Sequence, residues 1–309
     1  MPELPEVETL RQDLAGVVLG ARLERVELFQ TRMLRGQDPT AIPERLSGGL
    51  IHSIGRRGKY LLMHTDRGTT LLIHRGMSGN VLLRDQGDPI ERHLHLLLEL
   101  DDGRQLRVVD PRGFGEIKAL TDQELTIKFA TLGVEPFGPE FCPGHLRERL
   151  AGRRAPVKML LMGQQIVAGL GNIYSDESLW MAGIHPKREG GSLGPHELSR
   201  LHEGVVSSLQ DAIIHRGTTF DGAVLDLYGQ PGGHHPQVFQ PRHDPKQTYP
   251  CARCGSALQR LRLSNRGSTF CSKCQPMKKT DSRRVARPLG GRADRRAAGP
   301  RATSQTVAL

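Results

Sequence analysis

The spacing of hydrophobic positions separates the chain into a helical start, a strand-rich half and a helical half. Residues 5–19 predict an amphipathic helix, which Gly20 ends. Its apolar residues recur at helical spacing: Val7, Leu10, Leu14, Val17 and Val18. From residue 21 to about residue 109 the pattern favours strands separated by glycine and aspartate turns, which predicts one helix with a mostly antiparallel sheet system.

The strands can be placed from their composition and alternation. We expect them at Leu23–Leu28, Tyr60–His64, Thr70–His74, His93–Leu100 and Arg104–Val109. In the fourth, alternate leucines should share one face: Leu94, Leu96, Leu98 and Leu100. His93 and His95 would then lie on the other face, as metal ligands or, since no third ligand is in view, as structural hydrogen-bonding groups.

The second half has a helical pattern. Glycine and proline crowd residues 133–144, which predicts a linker and a domain boundary. Helices are expected beyond it, at Leu146–Leu150, Val157–Met162, Ser175–Met181 and Glu197–His215. The last of these has one apolar face: Leu198, Leu201, Val205, Leu209 and Ala212. A tight turn, Gly169-Leu170-Gly171-Asn172, lies between the helices, and a helix, a turn and further helices are a common layout for binding the DNA backbone.

The end of the chain has a different composition. Glycine, proline and histidine dominate residues 222–250, where we expect a mobile loop. Residues 283–301 lack apolar periodicity and are rich in arginine, which predicts a disordered basic tail.

Charge adds an anionic partner to this picture. The net charge is +10, and nine Lys/Arg against two Asp place +7 of it in residues 275–309. The rest of the chain is only mildly basic, so a polyanion site there must be a local patch. Aromatic residues make up only 4%, which argues against stacking of many single-stranded bases.

The location of the protein can also be predicted. No apolar run is long enough to span a membrane, and the N-terminus lacks the regions of a signal peptide. We expect a cytoplasmic protein that, in a bacterium, associates with the nucleoid through DNA.

Four of the five cysteines form the strongest motif in the sequence. They are spaced Cys251-x2-Cys254-x16-Cys271-x2-Cys274, which is typical of a tetrahedral zinc site on a β-hairpin. Four thiolates leave no open position on the metal, so one structural Zn²⁺ without metal catalysis is expected.

Two loops present side chains that could enter DNA. Residues 110–115 display Arg112 and Phe114, either as an ordinary turn with a core phenylalanine or as a wedge that opens a base step. Residues 74–79 display Met77, although a lone methionine is more often part of a core.

The N-terminus allows two interpretations. Once Met1 is removed, Pro2 carries a free secondary amine with a pKa of about 8, and Glu3 and Glu6 lie within one helical turn of it. A nucleophile with proton-transfer partners is one interpretation. A proline-initiated helix with acidic first-turn residues is the other.

These separate features occur in one ordered set. The motifs, in chain order, are Pro2–Thr9, Arg57–Tyr60, His74 with Gly76–Gly79, Asp110–Arg112 with Phe114–Gly115, Gly169–Tyr174, Ala182–Pro186, Gly217–Thr219 and the four cysteines with Arg266 before Cys271. Together they resemble the formamidopyrimidine-DNA glycosylase family over roughly residues 2–276. The combination is far more specific than any of its members, so the nucleophile interpretation of Pro2 is favoured.

The resemblance implies an α+β fold with DNA held in a cleft. It comprises an N-terminal antiparallel β-sandwich with an N-terminal helix, a helix-two-turns-helix domain and a zinc-finger hairpin. The expected segments are 1–130 for the catalytic sandwich, 131–145 for a linker, 146–247 for the helical domain with a lesion-covering loop, 248–277 for the zinc finger and 278–309 for the basic tail.

The resemblance further implies a base-excision-repair enzyme, a bifunctional DNA glycosylase and AP lyase. It would remove 8-oxoguanine and formamidopyrimidines from damaged duplex DNA, as a monomer without a nucleotide cofactor. Pro2 would attack C1′ of an extruded nucleotide and form a Schiff base, with Glu3 as general acid and Glu6 as support for the N-terminus. β- and δ-elimination would then cleave both flanking phosphates.

The resemblance also assigns DNA contacts. Lys59, counted with the catalytic residues, would clamp phosphates with Asn172 and Arg266, and His93 would contact DNA. Three residues would fill the void left by the lesion: Met77, Arg112 and Phe114. The loop from residue 217 to about residue 239 would cover the extruded purine.

Three departures from the family pattern put base preference in question. Arg75 replaces a usual leucine beside Met77, where an added charge would strengthen backbone binding or alter base-pair probing. Gly163 replaces an aspartate before Gln164, and residues 238–242 replace the common Val-Tyr-Gly-Arg.

Two alternatives remain open. The first is a glycosylase of the endonuclease VIII side of the superfamily, which acts on oxidised pyrimidines; Leu4 and the loop at residues 110–115 argue against it. The second is a non-catalytic DNA-binding protein on the same scaffold, which the presence of Pro2, Glu3 and Lys59 disfavours.

Overall fold

The strand-rich half forms two four-stranded antiparallel sheets that share one core. A computed structural model describes residues 2–220, 222–239, 247 and 249–277. One sheet has the order β1 (Leu23–Leu28), β6 (Leu94–Leu100), β7 (Arg104–Val109), β5 (Asn80–Asp85). The other has the order β2 (Ile51–Arg57), β3 (Tyr60–Thr65), β4 (Thr70–His74), β8 (Glu116–Leu120). Buried residues of both sheets form one cluster, which confirms the predicted β-sandwich.

The first helix, α1 (Leu4–Val17), links two cores. Val7, Leu10 and Leu14 are fully buried in the sandwich core, as their spacing predicts. Leu4 is buried instead in the core of the helical half. The first turn of α1 is therefore fixed by both parts of the chain.

One strand departs from the predicted alternation. The register of β6 against β7 shifts between Leu94 and Leu96, so His95 is an extra residue, as in a β-bulge. Leu94 consequently packs with Leu97 outside the sandwich core, whereas Leu96 lies inside it. His93 precedes the strand at φ +68°, and the buried His95 makes a 3.0 Å hydrogen bond from Nε2 to the carbonyl oxygen of Asp110. The structural interpretation of His95 is therefore confirmed, and the expectation of one leucine face is wrong at Leu94.

The helical half confirms the predicted helices with small changes at their ends. Its helices are α4 (Pro143–Leu150), α5 (Val157–Met162), α6 (Asn172–Ala182) and α7 (Pro195–Ile214). All five predicted apolar residues of α7 are buried in one core with residues of α6. Two further helices, α2 (Ala41–Leu46) and α3 (Asp122–Phe129), pack on the sandwich.

The cysteines lie on either side of a hairpin of β9 (Gln259–Leu263) and β10 (Arg266–Phe270). The described part of the glycine-rich stretch, residues 222–239, is anchored rather than free: Leu227 is fully buried in the sandwich core, and Val238 packs beside Trp180. Residues 240–246 and the predicted basic tail at 278–309 lie outside the described residues. Within the described part of the chain, none of the helices has the length and apolarity needed to cross a membrane.

Candidate active site and zinc centre

The carboxylate of Glu3 is held at the N-terminus of α6. Its Oε2 accepts hydrogen bonds from the backbone N–H groups of Gly171 (2.6 Å) and Tyr174 (3.3 Å), and its Oε1 accepts one from Ile173 (2.9 Å). The residue is completely buried. The glycine turn predicted from the sequence therefore positions Glu3 through backbone amides at a helix start.

Burial governs the proton affinity of this site. It raises the pKa of Glu3, which Lys59 lowers and the Glu6 carboxylate raises further, while three charge-stabilising hydrogen bonds act in the opposite direction. Burial also lowers the pKa of the Lys59 ammonium. A carboxyl with a raised pKa retains its proton closer to neutral pH, which suits a general acid.

Gly171 leaves no room for a side chain. A Cβ at this position would lie 2.5 Å from Glu3 Oε1 and 2.6 Å from Lys59 Nζ. The ends of both side chains therefore approach the same point of the backbone, and a Cβ there would displace the two groups on which the site depends.

Gln164 fixes the glycine turn from behind, a role that its position in the sequence did not predict. Its Oε1 accepts the N–H of Gly169 at 2.8 Å, and its Nε2 donates to the carbonyl oxygens of Leu170 and Met162. Leu4 N–H donates to the Gly169 carbonyl at 3.1 Å. The turn thus connects the first residues of α1 to the start of α6.

Glu6 supports the N-terminal turn through both oxygens. Oε2 accepts the Glu3 N–H at 2.7 Å. Oε1 accepts the Tyr174 hydroxyl at 2.6 Å and the Thr218 N–H at 2.7 Å. Pro2, also buried, is the residue immediately before this network. Tyr174 and Thr218 occur in the sequence motifs, but their contact with Glu6 could not be inferred from spacing.

Cationic and amide groups surround the carboxylates. The positive charge of Arg266, the first residue of β10, contributes to the lowered pKa of Lys59. Arg266 is exposed, and the Oδ1 of Asn172, the first residue of α6, is buried without a hydrogen-bond partner among the described residues. Lys59 Nζ and the start of α6, which carries Asn172, therefore lie beside Glu3, and Arg266 adds a positive charge that acts on Lys59.

A buried ion pair holds β10 against the helices. Lys158 Nζ lies 2.8 Å from Asp176 Oδ1 and donates to the Gly267 carbonyl at 3.0 Å. Asp176 also accepts the Ser268 hydroxyl and the Thr269 N–H. The strand that begins with Arg266 is thereby fixed to α5 and α6.

Asp110 joins the two predicted DNA-entering loops. Its Oδ1 accepts the Ser78 hydroxyl at 2.7 Å and the Arg112 N–H at 3.1 Å, and its Oδ2 accepts the Gly115 N–H at 3.0 Å. A Cβ on Gly76 would lie 2.5 Å from Gly115 N, so the loops touch through their backbones.

The tips of these loops are accessible. Phe114 is 43% exposed, which contradicts a core phenylalanine, and the Arg112 guanidinium lies 4.7 Å from its ring centroid. Met77 and His93 are both partly exposed. The three predicted void-filling residues therefore lie on adjoining loops, and His93 lies directly before β6.

The four cysteine sulfurs lie within 4.8 Å of one another. Cys251 Sγ and Cys274 Sγ are 3.9 Å apart, and Cys254 Sγ and Cys271 Sγ are 3.5 Å apart. Zn–S bonds of about 2.3 Å in a tetrahedron separate sulfurs by about 3.8 Å, so the set fits Zn²⁺. Trp180 Nε1 donates to Cys251 Sγ, which connects this centre to α6.

Comparison with known proteins decides the family. Three family models match: the formamidopyrimidine-DNA glycosylase N-terminal domain over residues 1–117, its H2TH domain over residues 132–222, and the zinc finger found in FPG and IleRS over residues 250–276. The formamidopyrimidine-DNA glycosylase of Symbiobacterium thermophilum is 42% identical over 90% of each chain. That of Bacillus subtilis is 37% identical over 90% of this chain and 100% of its own.

The chain belongs to the formamidopyrimidine-DNA glycosylase (Fpg) family. Two crystal structures of Lactococcus lactis Fpg superpose with a TM-score of 0.81 at 33% identity, and the match covers 89% of this chain and 100% of theirs. One contains DNA with N7-benzyl-Fapy-dG and the other contains DNA with an oxidised pyrimidine. This family member is accordingly a DNA-repair glycosylase with one structural zinc, not a non-catalytic scaffold.

Arg75, the first departure from the Fpg pattern, is a buried residue. Arg75 is only 2% exposed and donates to the Glu6 and Leu225 carbonyl oxygens, so its guanidinium is bound inside the protein. A sequence shows charge but not the direction of a side chain, so this burial could not be predicted. The effect of Arg75 on backbone binding or base-pair probing stays a prediction. Gly163 ends α5, and nothing in the structure explains its replacement of aspartate.

The structure describes the first two residues of the departure at residues 238–242, Val238 and Phe239. The backbone N–H groups of Val238 and Phe239 both donate to Glu177 Oε1, and that of Gln237 donates to Oε2. Residues 240–242 lie outside the described part of the chain. The three amides favour the ionised form of Glu177, but burial outweighs them and raises its pKa to about 7.

Proposed function

We propose that this Fpg family member removes oxidised purines from duplex DNA and then cleaves the abasic site. The observation that supports the proposal most directly is Glu3, which is buried with a raised pKa, held by α6 amides and located next to Pro2. An acid placed one residue from a nucleophilic amine suits the displacement of a base by that amine.

The proposed chemistry begins at Pro2. Removal of Met1 leaves a secondary amine, whose neutral form attacks C1′ of the extruded nucleotide while the N-glycosidic bond breaks. Glu3 donates its proton to the departing base. The proton of the Pro2 amine passes to O4′ as the C1′–O4′ bond breaks and the sugar ring opens, and an iminium ion between Pro2 and C1′ results. Glu6, which accepts the Glu3 N–H, holds the turn on which Pro2 lies.

Strand cleavage follows from the iminium ion. Loss of a C2′ proton expels the 3′ phosphate by β-elimination, and loss of a C4′ proton then expels the 5′ phosphate by δ-elimination. Lys59, Asn172 and Arg266 would bind the phosphates flanking the lesion, where an ammonium, an amide and a guanidinium stabilise negative charge.

The remaining contacts are proposed to select the lesion. Met77, Arg112 and Phe114 would fill the space that the extruded nucleotide leaves, with Arg112 facing the orphaned cytosine. His93, next to β6, would contact DNA. Residues 217–239 would cover the purine. We propose a monomer in the bacterial cytoplasm, with the domain boundaries expected from the sequence.

The test is a pair of duplexes, one with 8-oxoguanine opposite cytosine and one with thymine glycol, each treated with enzyme and borohydride. Trapping and incision should be faster on 8-oxoguanine, and an undamaged duplex of the same sequence is the control. Faster reaction on thymine glycol would favour the second candidate, a pyrimidine-specific activity, which the oxidised-pyrimidine DNA bound to the Lactococcus lactis relative keeps in consideration.

A further inference from the structure

Residues 223–230 lie along the exposed edge of the sandwich. The Leu83 N–H of β5, an edge strand, donates to the Leu227 carbonyl at 2.9 Å, and Leu227 itself is fully buried in the sandwich core. Asn80 Oδ1 accepts the Leu225 N–H at 2.9 Å, and Asn80 Nδ2 donates to the Ala223 carbonyl at 3.2 Å. The segment therefore supplements the edge of the sheet through backbone and side-chain hydrogen bonds.

Arg75 connects this segment to two parts of the active site. Its Nη2 donates to the Leu225 carbonyl and to Asn80 Oδ1, both at 2.7 Å. Its Nε donates to the Gly79 carbonyl at 2.7 Å, and its Nη1 donates to the Glu6 carbonyl at 3.2 Å. One side chain thus contacts the covering segment, the Met77 loop and the first turn of α1.

The chemistry of this contact requires arginine. A guanidinium offers five N–H donors in a rigid plane, whereas lysine offers one nitrogen and leucine none. Burial lowers the pKa of Arg75 to about 10, so the group is still charged at neutral pH. Its four acceptors are oxygens of neutral groups on three separate segments, and the charge strengthens each hydrogen bond.

A second contact acts on the same segment. Arg216, two residues after the end of α7, donates to Asp13 of α1 at 3.1 and 2.7 Å and to Asp226 at 2.7 Å. Asp226 in turn organises a tight turn by accepting the N–H groups of Tyr228 and Gln230. All of these contacts lie within the protein, so they need no DNA to form.

We propose that Arg75 is a positioning residue that holds residues 223–230 against the sandwich before DNA binds. This inference rests on the proposed function, in which this segment is part of the cover over the extruded purine. A preformed cover removes the cost of ordering the segment when the lesion enters. The same side chain transmits the position of the cover to the Met77 loop and to Glu6.

The first experiment measures amide hydrogen exchange of the free protein and does not depend on catalysis. Residues 223–230 should be protected in the wild type, and Arg75→Leu should lose that protection while α7 keeps it. Arg25→Leu is the matched control. It also removes one positive charge, but among the described residues Arg25 pairs only with Glu27, on the exposed face of β1, and does not contact residues 223–230. Rapid exchange of this segment in the wild type, or unchanged protection in Arg75→Leu, would overturn the proposal.

Asn80→Ala is a second variant that keeps the test informative if Arg75→Leu fails to fold. It removes the Asn80 contacts to Leu225 and Ala223 but keeps the Arg75 hydrogen bonds to Leu225, Gly79 and Glu6, so we expect a partial loss of protection with a smaller fall in melting temperature. Arg75→Lys, which keeps the charge without the planar fork, should resemble Arg75→Leu in exchange. Wild-type protection in Asn80→Ala and Arg75→Lys together would assign the segment's order to Leu227 packing alone.

The second experiment compares two substrates. Arg75→Leu should lose about tenfold in kcat/KM on an 8-oxoguanine duplex relative to its loss on an abasic duplex, because only the former presents a base to cover. Equal losses on both would mean that Arg75 acts only through Glu6. If the wild type excises no purine, the proposed function fails, but the exchange result still decides whether Arg75 orders the segment.

Discussion

At the scale of single residues, the site depends on opposing effects at Glu3. Three α6 amides favour its ionised form, and complete burial favours its neutral form. The pKa is raised, so burial prevails. The resemblance named Glu3 as an acid, but the reason that it can retain a proton is visible only in the structure.

This balance predicts the pH dependence of excision. If protonated Glu3 donates to the departing base, the rate should fall as pH rises through its raised pKa. Glu3→Gln should lower the single-turnover excision rate by about 10²- to 10⁴-fold and remove that limb of the profile. The measurement is excision of 8-oxoguanine against pH for both proteins, and an identical alkaline limb in the variant would show that another group supplies the proton.

A second residue-scale prediction concerns space rather than charge. Gly171→Ala would push a methyl group against both Glu3 and Lys59, so we expect excision to fall by about 10²-fold, as misplacement of reacting groups does. Gly16→Ala is the matched control, because a Cβ there meets nothing within 4 Å and Gly16 lies inside α1. The control should keep its activity and gain about 0.5–1 kcal/mol of stability. Equal activity of the two variants would contradict the close approach at Gly171.

At the scale of elements, regular hydrophobic periodicity predicts the helices correctly, whereas local irregularities of the strands cannot be predicted from it. The apolar residues of α1 and α7 recur without interruption, and the structure buries both sets as predicted. The bulge at His95 adds one residue to β6 and moves Leu94 out of the sandwich core, a change that alternation alone cannot reveal. The glycine and proline content of residues 222–239 predicts a mobile loop. Leu227 is nevertheless buried in the sandwich core, because it packs beside β5, which is far away in the sequence.

The zinc hairpin gives the element-scale prediction. Cys254→Ser should lose zinc and, with it, most DNA affinity, because Arg266 lies on the strand that the metal helps to hold. Metal content by atomic absorption and binding to an abasic-analogue duplex should fall together. Gln259→Ala, at an exposed position of β9 in the same hairpin, should keep both. Full DNA affinity in a metal-free Cys254→Ser protein would contradict the account.

At the scale of the whole molecule, α1 contributes Leu4 to one core and Leu10 to the other, so the first turn of α1 is fixed by both halves. Tertiary contacts of this kind bring Glu3, Lys59 and Gly171 together from three distant positions in the chain. The sequence motifs named these residues. They meet because the first turn of α1 bonds to the start of α6, and because α1 packs on β2 and β3, which Lys59 connects.

The basic tail gives a prediction that does not depend on its structure. Truncation after Met277 removes nine positive and two negative residues. Each lost phosphate contact should make the negative slope of log K against log salt less steep by about 0.9. Single-turnover excision should be retained. The measurement is DNA binding of the full-length and truncated proteins across a salt series. An unchanged slope would mean that the tail does not contact DNA.

The central claim is that the amine of Pro2 forms the covalent bond to DNA. The most direct measurement is mass spectrometry of the borohydride-trapped complex after digestion, preceded by confirmation that Met1 is absent. The account predicts that the DNA adduct lies on the peptide that begins with Pro2, and that Pro2→Gly and a protein retaining Met1 both trap poorly. An adduct on Lys59 or any other lysine, or full trapping by the protein that retains Met1, would contradict it.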